Sequence, residues 1–248
     1  MKVGFLITAR LKSTRLPMKI VLKIHEREMI RHMIDRLKIS DAIDVIVICT
    51  SPNPQDEPLI DIAKEEGVEY FLGHEEDVIQ RLTDAANHFK LDFVINVSAD
   101  NPLVSLEYIK KMREVFEETK ADHITGLDLP IGLYPYGLNP EAMRIVCERK
   151  KSDQTEVWGR YFTETGEFKV VALDIPEKHK RNYRLTLDYQ EDFEFFKAVY
   201  DHFGKDTHKV TIDELVQFLD EHPEVVKINA DCQKLYEERW KKQRDLAK

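Results

Sequence analysis

Cysteine is scarce in this 248-residue chain: Cys49, Cys147 and Cys232 lie far apart and form no Cys-x-x-Cys pair. Neither a disulfide framework nor a zinc site is therefore indicated, and reduced thiols in a cytosol fit best. No stretch approaches the roughly 20 apolar residues that span a bilayer, and the N-terminus carries no signal-peptide pattern, so a soluble, cytoplasmic protein without a membrane partner is expected. Positive charge is in deficit: 37 basic against 46 acidic residues leave a formal charge of -9, which argues against a broad surface for nucleic acid. A polyanionic ligand would need a local basic site. The nine histidines are scattered, His25 and His32 are not at i, i+4 spacing, and no His-Glu-x-x-His occurs, so a histidine metal site is not indicated. A Gly-x-Ser-x-Gly elbow is absent too, which weighs against an α/β-hydrolase.

What is present is an alternation of short apolar runs with amphipathic stretches. Val3 to Thr8, Val45 to Thr50, Val68 to Leu72 and Phe93 to Val97 read as strands, separated by helices near 28–38, 56–66 and 75–89. This predicts an α/β fold with a mixed, mostly parallel sheet flanked by helices on both faces. Ligands of such sheets gather beyond the carboxyl ends of the strands, which singles out the loops 9–19, 51–55 and 98–102. After a helix near 105–119, Pro130, Gly132, Pro135, Gly137 and Pro140 cluster, and a loop or small hairpin subregion is expected over about 130–165. Phe168 to Asp174 and Tyr183 to Leu187 read as further strands, followed by helices near 191–203 and 211–220. Thr211 with Glu214 three residues on has capping-box spacing. One main domain over 1–230 and a charged C-terminal helix over 231–248 are expected, the helix carrying a stripe of Cys232, Leu235, Tyr236 and Trp240.

The loop after the first strand, Ala9-Arg10-Leu11-Lys12-Ser13-Thr14-Arg15-Leu16-Pro17-Met18-Lys19, concentrates the chemistry. Its cations at a strand end, with backbone N–H groups, suit a triphosphate of about four negative charges. It contains no glycine, so it is neither a Walker loop nor a Gly-x-Gly-x-x-Gly turn. On charge alone a solvated basic connection is an equal reading. Asp100 follows one strand and Asp188 ends another, so both carboxylates can reach one cleft and hold Mg²⁺ with phosphate oxygens and water. The alternative is that each merely caps the next helix.

The order of residues goes further. Ala9-Arg10 followed by Ser13-Thr14-Arg15-Leu16-Pro17 and Lys19 resembles the signature of the cytidylyltransferases that make CMP-activated acidic sugars, such as CMP-Kdo and CMP-sialate synthetases. The nearest likeness is to the branch of spore-coat polysaccharide biosynthesis protein F (SpsF). Glu76-Asp77-Val78-Ile79-Gln80-Arg81, Ala99-Asp100-Asn101-Pro102-Leu103, the segment Arg184 to Asp192, and Leu219 to Ala230 resemble further family motifs, so the likeness covers about 1–230.

The resemblance implies a Rossmann-like nucleotide-diphospho-sugar transferase fold, CTP and a small acidic sugar (Kdo-like or a nonulosonic acid) as substrates, Mg²⁺ on Asp100 and Asp188, pyrophosphate release, a role in cell-surface polysaccharide biosynthesis, and a homodimer. It implies catalytic roles for Arg10, Arg15, Lys19, Asp100 and Asp188, and a nucleotide site of Ala9, Arg10, Ser13, Lys19, Thr50, Ser51, Arg81 and Asp100. Without the motif, Arg81 reads as an exposed helical arginine paired with Asp77 or Asp84. On the acceptor side the chain departs from its relatives. Pro135-Tyr136-Gly137-Leu138-Asn139 stands where the family has Pro-Asp-Gly-Leu-Asp, and Thr155-Glu156-Val157-Trp158-Gly159 where SpsF-like chains have Glu-His-Val-Thr-Pro. Gly137, Asn139, Glu156 and Trp158 are the acceptor candidates, with core or dimer aromatics an equal reading for Tyr134, Tyr136 and Trp158. A nucleotidyltransferase for a phosphonate, phosphorylated alcohol or sugar phosphate and a non-catalytic nucleotide-binding paralogue remain as alternatives. A glycosyltransferase is disfavoured because Asp100-Asn101-Pro102 is not an Asp-x-Asp motif.

Overall fold

The alternation of the sequence is realised in a computed structural model that describes residues 1–236 and 238. In chain order the elements are β1 (Val3–Thr8), β2 (Lys23–Ile24), β3 (Arg27–Glu28), α1 (Met29–Lys38), β4 (Val45–Thr50), α2 (Glu57–Glu66), β5 (Glu69–Leu72), α3 (Val78–His88), β6 (Phe93–Ser98) and α4 (Leu106–Thr119). There follow β7 (His123–Thr125), β8 (Tyr136–Leu138), α5 (Pro140–Arg149), α6 (Arg160–Thr163), β9 (Val170–Ala172), α7 (Gln190–Phe203), α8 (Ile212–Glu221) and α9 (Pro223–Lys227). The main sheet has the order β5-β4-β1-β6-β8-β7-β9. Only β8 runs against its neighbours, antiparallel to both β6 and β7. All other pairs are parallel.

Period-two side-chain alternation divides the core between the two sheet faces. Phe5 and Ile7 of β1 pack with residues of α1, α2, α4, α7 and α8. Leu6, with Val47 and Cys49 of β4, packs with α3, α5, Trp158 and Phe162. Helices thus cover both faces, as expected. Because β1 lies between β4 and β6 and all three are parallel, their carboxyl ends open on one edge of the sheet. Among the described residues no helix is long and apolar enough to cross a membrane.

The structure corrects several expectations. The 130–165 subregion is no loop: β8 enters the middle of the sheet and α5 follows it directly. Tyr183 to Leu187 is not a sheet strand. It pairs through a single bridge, Ile131 with Arg184, and Leu187 N–H goes to the turn at Asp100 instead of a ladder. Gly132, at φ +95°, allows that bridge, since a Cβ there would lie 1.9 Å from the Leu185 carbonyl oxygen. The Phe168 to Asp174 strand shortens to β9, and α3 starts at Val78 rather than near 75. In the C-terminal segment residues 232–236 are helical; Cys232 is buried and Tyr236 half-buried, whereas Leu235 is exposed and leaves the stripe. Trp240 lies outside the described residues.

His123, the first residue of β7, is buried beside β8, its Nδ1 3.0 Å from the Gly137 carbonyl oxygen and its ring among Tyr136, Trp158 and Phe162. Burial lowers its pKa to about 4. The unfolded chain takes up this proton below about pH 6.5 while the folded chain resists it, so the fold loses stability as pH falls from there toward 4. Between pH 7 and 4.5 this should remove about 2–3 kcal/mol of unfolding free energy, a loss that His123→Phe abolishes. Urea unfolding of both proteins at the two pH values checks it; equal losses would show that another group titrates.

Candidate active site

The loop 9–19 leaves β1 at the edge where β4 and β6 also end. Ala9 N–H donates to the Cys49 carbonyl at 3.1 Å, continuing the β1–β4 ladder. Leu11 N–H then donates to Asp56 Oδ1 at 2.7 Å, and the Ser51 hydroxyl donates to Asp56 Oδ2 at 2.6 Å. The buried Asp56 carboxylate therefore ties the basic loop to the loop after β4. On the other side, Ala99 N–H reaches the Thr8 carbonyl at 2.9 Å, and Asn101 N–H closes on Ser98 at 3.1 Å, a tight turn that projects Asp100.

Asp100 and Asp188, 88 positions apart in sequence, meet at one cation. Lys19 Nζ lies 2.5 Å from Asp100 Oδ2 and 2.9 Å from Asp188 Oδ1. Arg15 Nη2 bonds the same Asp188 oxygen. The Leu187 N–H donates to the Asp100 carbonyl at 2.8 Å, so the two carboxylate-bearing segments are also joined by backbone. Behind Asp188 stands a buried network: Arg184 Nη2 donates to Asp188 Oδ2 at 3.0 Å and to Asp192 Oδ2 at 3.0 Å, and its Nε donates to Asp192 Oδ1 at 2.9 Å. Asp192 also accepts from the Asp188 and Tyr189 N–H groups and from the Asn229 amide.

Burial by itself would raise the Asp188 pKa, but Lys19 and Arg15 outweigh it and hold this carboxyl well below the usual range. Lys19 is shifted the other way: desolvation opposes its charge, yet Asp100 and Asp188 prevail and raise it. Asp188, Lys19 and Arg15 are therefore ionised through the neutral range.

Two carboxylate oxygens within 2.9 Å of one ammonium nitrogen can share a metal ion in its place. Among the described residues no group of three or more His, Cys, Asp or Glu side chains is gathered for a metal. Two carboxylates, with substrate phosphates and water completing the shell, suit Mg²⁺ and not a fully protein-enclosed ion.

Arg10 and Arg81 lie toward β4. Arg10 Nη1 donates to the Glu75 carbonyl at 2.8 Å and to Glu76 Oε1 at 3.2 Å. Arg81 Nη1 donates to the His74 and Glu75 carbonyls at 2.5 and 3.0 Å. Arg81 is fully buried and its guanidinium bonds the His74 and Glu75 carbonyls instead of Asp77 or Asp84, which disposes of the exposed-arginine reading. Its Nε and Nη2, together with Thr50 Oγ1, are buried without a hydrogen-bond partner. Buried donors left unpaired cost about 1–3 kcal/mol each, more when charged. A folded chain that keeps a guanidinium edge in this condition offers it to a ligand with acceptor atoms. Ser13 and Thr14 sit at the turn of the basic loop, where Ser13 N–H closes on the Leu11 carbonyl at 3.0 Å.

The acceptor candidates do not assemble around the carboxylates. Gly137 is inside the sheet, where a Cβ would lie 2.7 Å from Phe93 Cζ, so its role is close packing. Asn139 caps α5, its Oδ1 accepting from Glu141 N–H at 3.0 Å. Glu156 is exposed. Trp158 is buried against Tyr136, His123 and Phe162, which is the core reading left open by the sequence. Sequence reasoning missed Asp56 and the positioning network of Arg184, Asp192 and Asn229. The spacing Arg184, Asp188, Asp192, at intervals of four, was the available signal for the latter.

A sequence model of the cytidylyltransferase family matches residues 5–230. An uncharacterized protein of Methanocaldococcus jannaschii is 31% identical over 242 residues, 96% of this chain and 99% of that protein. The spore coat polysaccharide biosynthesis protein SpsF of Bacillus subtilis is 28% identical over 230 residues, 89% of this chain and 95% of its own length. Among solved structures, a cytidylyltransferase from Leptospira borgpetersenii superposes with a TM-score of 0.84 at 26% identity, covering 91% of this chain and 97% of that one.

Proposed function

This chain belongs to the cytidylyltransferase family, and from that premise we propose that it transfers CMP from CTP to a hydroxyl of an acidic sugar, releasing pyrophosphate, for cell-surface polysaccharide synthesis. The observation that carries the reading is the meeting of Asp100 and Asp188 at Lys19, with Arg15 alongside. In this reaction the acceptor oxygen forms a bond to the α-phosphorus, the bond from that phosphorus to the bridging oxygen breaks, and the electron pair leaves with pyrophosphate. The hydroxyl proton passes to solvent.

Asp100 and Asp188 would hold Mg²⁺. When bound, that ion supplies charge neutralisation on the phosphate oxygens and acidifies a coordinated hydroxyl. Lys19 and Arg15, which the two aspartates hold as cations, turn to the triphosphate and stabilise the negative charge that builds on the leaving group. Arg10 serves the same phosphates from the start of the loop. Arg81 Nε and Nη2 and Thr50 Oγ1 offer donors to the acceptor edge of a pyrimidine, and Ala9 and Ser51 border it through backbone. Fixed donors in a buried site discriminate between bases because a wrong base leaves them unpaired.

With Mg²⁺ and a panel of 2-keto-3-deoxy sugar acids and nonulosonic acids, CTP should be consumed at least about 100-fold faster than ATP, GTP or UTP. Pyrophosphate release reads the rate, and mass spectrometry identifies a CMP-sugar acid. Turnover only with phosphonates or phosphorylated alcohols would retain the nucleotide site and reject the acceptor.

A further inference from the structure

The geometry points to the C-terminal turn at 232–236 as a working part of this active site, with Tyr236 a positioning residue that holds Asp188 through Arg184. The family model ends at residue 230, so this turn lies just past the segment that the model matches. It is nevertheless built onto the network behind the carboxylates. Asn229, itself buried, donates its amide to the Arg184 carbonyl at 3.0 Å and to Asp192 Oδ1 at 2.9 Å, and its own carbonyl accepts from Cys232 N–H at 3.0 Å. Buried Cys232 fastens the turn, and Gln233 and Tyr236 then reach Arg184. Arg184 Nη1 donates to Gln233 Oε1 at 3.3 Å, and the guanidinium carbon lies 5.2 Å from the centre of the Tyr236 ring. The ring of Tyr189 lies 5.6 Å from the same carbon.

The consequence follows from how Arg184 divides its donors. Nε and Nη2 clasp Asp192, and Nη2 is shared with Asp188. A guanidinium clasped along one edge can still tilt about that edge, and a small tilt takes Nη2 away from Asp188. Gln233 on the far nitrogen and Tyr236 on the ring plane block the tilt. Asp188 has two other partners, Lys19 and Arg15, but both are the cations that the triphosphate needs. Once they turn to phosphate, Arg184 is the cation left to orient Asp188. Residues that orient a metal-bound carboxylate typically change metal affinity by 10- to 100-fold.

The inference rests on the Mg²⁺·CTP reading, and its test separates the two. The full chain is titrated with Mn²⁺ and CTP, with bound Mn²⁺ read by electron paramagnetic resonance, and with CTP in EDTA by calorimetry. Tyr236→Ala should weaken Mn²⁺·CTP by about 10-fold, leave metal-free CTP binding unchanged, and be rescued by Tyr236→Phe, which keeps the ring. Gln233→Ala, which removes one hydrogen bond and no aromatic packing, should weaken Mn²⁺·CTP by about threefold at an unchanged melting temperature, and carries the test should Tyr236→Ala unfold. Wild-type affinity in Tyr236→Ala or in Gln233→Ala, or an equal loss of metal-free CTP binding, overturns the positioning role alone. Failure of the wild type to bind Mn²⁺·CTP overturns the nucleotide reading and this inference with it.

Discussion

Replacing either Lys19 or Asp100 by alanine should cut pyrophosphate release from CTP by about 10²- to 10³-fold, the usual loss when one preorganised electrostatic contact to a transition state is removed. The melting temperature should stay within a few degrees of wild type. The Lys19 side chain is 12% exposed and bonds Asp100 and Asp188, while the tie from the Asp100 carbonyl to Leu187 is backbone and survives substitution. In Lys19→Ala, Asp188 retains Arg15 and Arg184 as partners. Asp188 and Lys19 keep their charges over the working range. Asp188 is held below its unfolded value, so its contribution to stability is present above about pH 4 and is lost only as pH falls through the lower folded value. Lys19 is held above its unfolded value, so its contribution is complete below about pH 10 and is lost as pH rises through the higher folded value. Neither group should therefore produce a limb in the rate profile between about pH 5 and 9. Near-normal turnover in either variant would remove that residue from the chemistry.

Most of the strands that the sequence revealed are largely buried, β5, with its exposed residues, being an exception. β1, β4 and β6 are six-residue, mainly apolar runs in the parallel part of the sheet, and each reads as such. β8 has three residues, one of them glycine, in a segment dense with turn formers. It is a strand because β6 and β7 supply ladders on both sides, and because Gly137 leaves room for Phe93. Neither cause is local. The helix after it was readable: Asn139 as cap, Pro140 in the first turn and Glu141 beside it form an ordinary start signal, masked by the surrounding prolines and glycines. The 183–187 segment shows the opposite error. Its composition indicated a strand, but whether such a segment finds a ladder depends on neighbours that no local pattern names.

The site was legible to the extent that topology is. Parallel neighbours end on the same edge, so a basic loop after β1 and an aspartate after β6 had to be close, and the structure brings both to Asp188. What stayed hidden is the machinery that aims these groups. Asp56 carries no motif, yet it holds Leu11 N–H and Ser51 together. Trp158 illustrates a limit of pattern matching. A bulky aromatic that the sequence offers as a substrate contact can instead fill the core, and here it packs on His123 and Tyr136.

Asp192→Ala should lower unfolding free energy by about 3–5 kcal/mol, the cost of leaving a buried guanidinium without its partner. Arg184 and Asp192 are both almost wholly buried, and Asp188, the carboxylate left to Arg184, is already shared with Lys19 and Arg15. The loss extends beyond the ion pair, because Asp192 also accepts the Asp188 and Tyr189 N–H groups at the start of α7 and the Asn229 amide that fastens the C-terminal turn. For a chain of this size each kcal/mol corresponds to about 2–4 °C, so a fall of roughly 10 °C is expected in a thermal melt. Activity measured well below the new midpoint should fall as well, by about 10- to 100-fold, since Arg184 and Asp188 lose the anchor that aligns them. The two readings separate the variant from Asp100→Ala, which should lose rate with little loss of stability. An Asp192→Ala protein that melts near wild type would mean that Arg184 transfers its hydrogen bonds to Asp188, and that the network is less demanding than its burial implies.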